Sequence, residues 1–185
     1  VIPVVTIDFE ASCLPRHGRS FPIEVGVSDL QGRSRAWLIR PHDDWRDWGW
    51  TDEAERLHRL SRDRLQQDGL PAATVLRELT ATVRGCQVVA DSDLDAHWLR
   101  TLTAAAGATQ SFKVGHVSAL LDAWRTTPEA AADAMLAADR LTRERHRAGP
   151  DARWLALVLD ALRPREASAF ESPGGRRPTS TRAAA

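Results

Sequence analysis

The sequence predicts an α/β fold: a mixed five-stranded sheet flanked by helices, built by residues 1–163 as one domain. Three observations predict it. Residues 2–40 hold three β-branched, apolar stretches separated by turn residues, the pattern of a meander. Beyond residue 50 the apolar positions recur at helical spacing, the mark of helices with one buried face. Two further short apolar runs lie among those helices. Strands first, then strands alternating with helices, imply a mixed sheet under helical layers.

The elements follow in order. Residues 2–9 form the first strand, residues 22–30 (PIEVGVSDL) the second, and residues 34–40 (SRAWLIR) the third, after the turn signal Gln31-Gly32. Thr51, with Glu53 to Arg56 behind it, caps a short helix. Pro71 opens another, whose Val75, Leu76, Leu79 and Val83 share one face. Gln87 to Ala90 is a fourth strand and leads into a helix with Trp98, Leu99 and Leu102 on one side. Phe112 to Val117 is a fifth strand, followed by helices near 118–124 and 128–144. The last helix starts at Pro150 and spaces Ala152, Leu155, Ala156, Leu159 and Leu162 at the helical period. Residues 164–185 are small, polar and aperiodic and are expected to be a disordered tail.

Composition narrows the function classes. At 185 residues, 43% hydrophobic and 27% charged, the chain is long enough to bury a core and is neither disordered nor fibrous in type. No apolar run reaches the roughly 18 to 20 residues of a membrane span, so no membrane partner is expected. The opening VIPVVTIDFE enters a strand with no basic leader, so no secretory signal is expected. Cys13 and Cys86 have neither metal spacing nor a disulfide framework, which points to the cytoplasm. With 25 basic and 25 acidic side chains, the chain cannot hold a polyanion by bulk charge and must grip it locally. Lys113 is the sole lysine, so arginine is the default cation here and an arginine is weak evidence of phosphate binding.

Three carboxylate sites stand out. In TIDFEAS, strand alternation puts Asp8 and Glu10 on one face roughly 7 Å apart, with Ile7 and Phe9 on the other. Such a pair is either a solvated strand face or a seat for a cation, and on a central strand the cation explains it better. In VVADSDLDAHWLRTL, Asp91, Asp93 and Asp95 precede a helix; one or two of them can serve only as caps. In RHRAGPDARWLALVL, His146 precedes Asp151 by five residues, and Ala148 and Gly149 are small enough to let the backbone approach the sheet. A histidine there titrates near neutrality and can accept a proton from water.

Together these sites resemble the DEDDh 3′–5′ exonucleases of the ribonuclease-H-like fold, the group of proofreading subunits, ribonuclease T and oligoribonucleases. Asp8 and Glu10 match the D-x-E motif, and Asp95 ahead of AHWL best matches the second motif, with Asp91 and Asp93 left open. His146, Ala148, Asp151 and Ala152 match H-x-A-x-x-D-A. Leu57 and His58 stand in an IHGI-type segment that here reads HRLS, not HGIS, over residues 58–61. The likeness spans roughly residues 4–162.

The resemblance implies a ribonuclease-H-like sheet and hydrolysis assisted by two divalent cations, Mg²⁺ or Mn²⁺. Clustered carboxylates need such compensation in any case. It implies that Asp8, Glu10, Asp95 and Asp151 hold the metals and that His146 is the general base. Phe9, Ala11, Ser12 and His58 are then expected at the substrate. The partner would be the 3′ end of single-stranded DNA, RNA or a short oligonucleotide, released stepwise as 5′-nucleoside monophosphates. A homodimer is compatible with the resemblance. The alternative from another class is a catalytically inactive module of the same fold that binds nucleic acid or protein.

Trp45, Trp48 and Trp50 crowd DDWRDWGW and either stack on unpaired bases or pin a loop to the core. Trp98 and Trp154 are expected in the core. His17, His42, His97 and His116 lack partners at ligand spacing, and Cys13 reads as small apolar filler.

Overall fold

A computed structural model describes residues 2–164, so all of the expected tail but Pro164 lies outside the described residues. The five strands are β1 (Val4–Ala11), β2 (Pro22–Asp29), β3 (Ser34–Leu38), β4 (Gln87–Ala90) and β5 (Val114–His116), in the sheet order β3-β2-β1-β4-β5. The pairs β1–β2 and β2–β3 are antiparallel; β1–β4 and β4–β5 are parallel. The strand that carries Asp8 and Glu10 is therefore central. The helices are α1 (Asp52–His58), α2 (Arg62–Asp68), α3 (Ala72–Thr82), α4 (Asp93–Ala105), α5 (Ser118–Ala123), α6 (Pro128–Leu141) and α7 (Ala148–Leu162).

Strand alternation sorts the layers. Val5, Ile7 and Phe9 of β1 face one core, shared with Val75 and Leu79 of α3 and Leu99 and Leu102 of α4. On the other face, Leu155, Val158 and Leu159 of α7 pack with Val89 and with Ala134 and Ala138 of α6. Thr6 belongs to that second face: its Oγ1 donates to the carbonyl of Ala152 at 2.6 Å, fastening α7 across the sheet. Asp8 and Glu10 continue the same alternation and so emerge beside the start of α7.

The approach of α7 is unusually close at one point. A Cβ on Gly26 would stand 2.2 Å from the carbonyl carbon of Ala148 and 2.4 Å from the amide nitrogen of Gly149. Glycine at 26 is what lets the first turn of α7 lie on β2.

Several expected boundaries move. Helix α7 begins at Ala148, two residues before Pro150, because proline's missing N–H is tolerated in a first turn whose N–H groups lack helical partners. Helix α6 stops at Leu141 and not at 144, and β5 is shorter than 112–117. Helix α2 was not expected: with Leu65 as its one buried residue it shows no periodicity, and only its cap, Ser61 Oγ accepting from Arg64 N–H at 3.2 Å, marks it. Trp45 is buried and stacks on Phe21 with ring centres 5.2 Å apart, so it pins the loop to the core; Trp48 and Trp50 pack partly buried against the same cluster. Trp98 and Trp154 are buried as expected.

Candidate metal centre

The centre is built from the ends of β1 and α7. One carboxylate oxygen from each of Asp8, Glu10 and Asp151 lies within 4.8 Å of the other two. Asp8 Oδ2 and Glu10 Oε1 are sealed from solvent and have no hydrogen-bond partner, two acceptors left unsatisfied at the same spot. Burial, and then the charges of Glu10, Asp95, Asp151 and Asp91, drive the Asp8 carboxyl well above its ordinary range. An unpartnered acceptor pair inside a carboxylate cluster suits hard divalent cations, which take oxygen ligands and offset this repulsion.

Asp95 stands apart from that trio. It is 2% exposed, and its Oδ1 accepts the Phe9 N–H at 2.9 Å, tying α4 to the middle of β1. Burial raises its pKa to about 7; the Phe9 amide opposes the rise, while Asp91 and Glu10 add to it. Asp91 and Asp93 are exposed. The helix cap expected from an aspartate is made instead by Ser92, whose Oγ accepts the Leu94 N–H at 3.1 Å. Of the three aspartates, Asp95 is the one turned inward.

Asp151 is held from the loop before α7. Its Oδ2 accepts the His146 N–H at 2.7 Å, and its Oδ1 pairs with the Arg145 guanidinium. His146 takes a left-handed backbone, φ 63°, which turns the chain back over Asp151 and leaves its ring exposed.

His58 touches the cluster through its ring, whereas His146 does so through its backbone amide. The His58 Nδ1 lies 2.8 Å from Glu10 Oε2, and its ring is nearly buried. Burial pulls its pKa down, but the hydrogen bond and charge of Glu10, with smaller help from the His146 carbonyl and Glu24, hold it above the ordinary value. On the side of Glu10 and His58 opens an apolar cavity of about 160 Å³ that Phe9, Ala11, Cys13, Leu57 and Trp98 help line. Ser12 does not line it; that side chain is fully buried, and its Oγ accepts from Phe21 N–H at 3.1 Å.

Two residues that sequence reasoning passed over complete the frame. Glu24 lies directly across from Glu10 in the β1–β2 ladder and is buried. Like charges facing each other on a sheet repel, and each here has its own hydrogen-bond partner, His58 for Glu10 and Arg147 for Glu24. Arg147 meets Glu24 through two bonds of 2.8 and 2.6 Å, and the Ala148 N–H donates to the same carboxylate at 3.1 Å. The signal was a lone glutamate in the otherwise apolar run PIEVGV. Its partner sits 123 residues away, so the sequence could not name it.

No family model matches the chain, and no curated protein sequence does. Solved structures do share its fold. An exonuclease I from Methylocaldum szegediense superposes with a TM-score of 0.61 at 15% identity, over 88% of this chain and 40% of that one. A further exonuclease I, described for how processivity is achieved, gives 0.66 at 10% identity over 88% and 41%. A 3′-exonuclease described for 3′-end specific recognition of a histone mRNA stem-loop gives 0.64 at 15% identity over 87% and 81%. The chain thus spans 40–41% of the length of those exonuclease I chains. At such identities the shared property is the fold: a ribonuclease-H-like mixed five-stranded sheet flanked by helices, common to this chain and these exonucleases.

Proposed function

We propose that this chain is a metal-dependent 3′–5′ exonuclease of the DEDDh type, working in the cytoplasm on single-stranded DNA, RNA or short oligonucleotides. The observation that carries the reading is the convergence of Asp8, Glu10 and Asp151, with two sealed, unpartnered oxygens, on a fold shared with exonucleases. Among the described residues no helix is long and apolar enough to cross a membrane.

In this reading Asp8, Glu10 and Asp151 hold two divalent cations, Mg²⁺ or Mn²⁺, with Asp95 behind them. When bound, the cations supply charge neutralisation for the scissile phosphate and for the attacking and leaving oxygens. Asp95 anchors the β1 backbone through Phe9 and thereby fixes where Asp8 and Glu10 point. His146, tethered through its own amide to Asp151, accepts the proton of the attacking water on its imidazole. Phe9, Ala11 and His58 border the apolar cavity that takes the terminal nucleoside, and Ser12 shapes it from beneath by holding the Phe21 backbone. The products are 5′-nucleoside monophosphates.

The second reading, a non-catalytic binding module, draws on one observation: Arg145 and His58 already engage Asp151 and Glu10. An oligonucleotide labelled at its 5′ or 3′ end, incubated with Mn²⁺ or EDTA, separates the two. Stepwise shortening from the 3′ end that EDTA and Asp8→Ala both abolish supports the nuclease. Binding without cleavage in Mn²⁺ supports the module.

A further inference from the structure

Two clefts run on from the candidate centre around the loop that joins α6 to α7. The first, about 310 Å³, begins at His58 and is walled by Arg59, Arg143, Arg145 and Arg147. The second, about 380 Å³, shares Arg143 with the first and continues past Arg140 and Arg153 to Ser34, at the start of β3. The only carboxylate in either wall is Glu144. A chain with no net charge therefore concentrates six arginines along one path.

The six are not equivalent. Arg145 is engaged by Asp151 and Arg147 by Glu24, so these two serve the centre. Among the described residues, no carboxylate lies within ion-pair distance of Arg59, Arg140, Arg143 or Arg153. Arg59 is presented by the left-handed residue that ends α1, and Arg140 and Arg143 are exposed. Unpaired guanidinium groups strung along connected clefts match the repeated phosphates of a polynucleotide backbone better than one small anion. Their route ends at His58 and Arg145, the partners of Glu10 and Asp151, so a strand lying along it would bring its last phosphate up to the acidic cluster.

We infer that the path from Arg59 through Arg143 to Arg140 and Arg153 is a binding track for the phosphates of a single strand, 5′ to the bond at the acidic cluster. The inference rests on the nuclease reading for its direction, not for the existence of the track. Occupation of the track makes affinity grow with strand length, and the loss of three guanidinium groups removes that growth. Length also separates the track from the terminal-nucleoside cavity, which a dinucleotide already fills.

The test compares the wild type with Arg140→Gln/Arg143→Gln/Arg153→Gln and with a charge-matched control on the far face of the sheet, Arg77→Gln/Arg84→Gln/Arg100→Gln, three exposed arginines of the α3 and α4 layer. Fluorescence anisotropy with 5′-labelled oligonucleotides of two to twelve nucleotides, in EDTA, reads binding without turnover. Any repulsion from the bare carboxylates is common to all lengths and cancels in the comparison. The triple variant is expected to bind the longest strand about tenfold more weakly and the dinucleotide within about twofold, and its salt slope is expected to flatten by about 2, from three phosphate contacts at about 0.7 each. The control keeps the wild-type length dependence. Cleavage of the p-nitrophenyl ester of thymidine 5′-monophosphate, which has no further phosphate, is expected at the wild-type rate.

Wild-type length dependence in the triple variant overturns the track even if the nuclease activity is real. A flat length dependence in the wild type also overturns it. Length-dependent binding lost in the variant, with no cleavage by the wild type, upholds the track and sinks the nuclease reading. Should the triple variant melt early, Arg143→Gln alone, at the junction of the two clefts, carries the same comparison.

Discussion

Gly26 of β2 and Ala148 of α7 touch backbone to backbone: a methyl group at 26 would overlap the Ala148 carbonyl, at 2.2 Å from its carbon. That contact sets the height of α7 above the sheet and therefore the distance from Asp151 to Asp8 and Glu10. Gly26→Ala must push backbone aside, at a cost of at least about 2–3 kcal/mol in a urea melt. If the proposed nuclease reading holds, a shift of about 1 Å in Asp151 is expected to cut turnover roughly a hundredfold. An unchanged melting midpoint would show that α7 does not rest on this contact.

The elevated pKa of Asp8 has a consequence for the metal-free protein. Its charge is a burden on the fold when no cation is present, so Asp8→Asn is expected to raise the melting temperature in EDTA at pH 8 by about 2–6 °C. Mn²⁺ should stabilise the wild type, by about 2.7 kcal/mol at a hundredfold excess over its dissociation constant, and leave Asp8→Asn unmoved. Calorimetry with and without Mn²⁺ checks both signs. A variant that still gains stability from Mn²⁺ would place the ion elsewhere.

Asp95 makes stability depend on pH in a defined direction. Its pKa rises from 3.8 to about 7 on folding, so the folded chain holds that proton more tightly than the unfolded one. The contribution is complete below the unfolded value and is lost as pH rises through the folded value. His58, also raised, acts with the same sign. Asp8, driven up as well, adds to the same trend, so in EDTA stability is expected to fall between pH 5 and pH 8 by on the order of 2–4 kcal/mol, and Asp95→Asn to remove its own share of that slope. Urea midpoints that stay level or climb over this range would contradict the buried state of Asp95.

The Glu24–Arg147 pair is expected to be structural in its energy and functional in its effect. Glu24→Ala leaves Arg147 and the Ala148 N–H without their acceptor, and a loss of about 2–4 kcal/mol is expected. Glu24→Gln retains acceptor and shape and should lose less. A double-mutant cycle with Arg147→Met isolates the coupling; a value near zero would mean the bonds at 2.6 and 2.8 Å contribute nothing net.

His146→Asn tests the role of proton acceptor proposed for His146 without disturbing the loop, since asparagine tolerates the left-handed backbone at this position. Turnover is expected to fall 10²- to 10⁴-fold, with Mn²⁺ affinity unchanged by titration calorimetry. Equal losses in both would make His146 a scaffold for Asp151 and not a base.

Much of this protein was legible along the chain. The β-branched runs with turn residues between them place β1 to β4, and strand alternation alone puts Asp8 and Glu10 on one face. Helix α7 reads clearly because its apolar spacing is long and regular, whereas α2 is too short to show a period. Asp95 was preferred over Asp91 and Asp93 only through the resemblance, since all three are aspartates at a helix start; among them Asp95 is the one buried against the Phe9 amide.

The sequence by itself determined the sheet-and-helix layering and which acids could share a face, because period-two and period-3.6 patterns are local. Only the tertiary structure decided which of them meet. Glu24 finds Arg147 because α7 is seated on Gly26, and Glu10 finds His58 because the cap of α1 is tied to the end of β1 by the Thr51 N–H donating to the Ser12 carbonyl. Pairings of that kind depend on register and close packing, which no single stretch of the chain encodes.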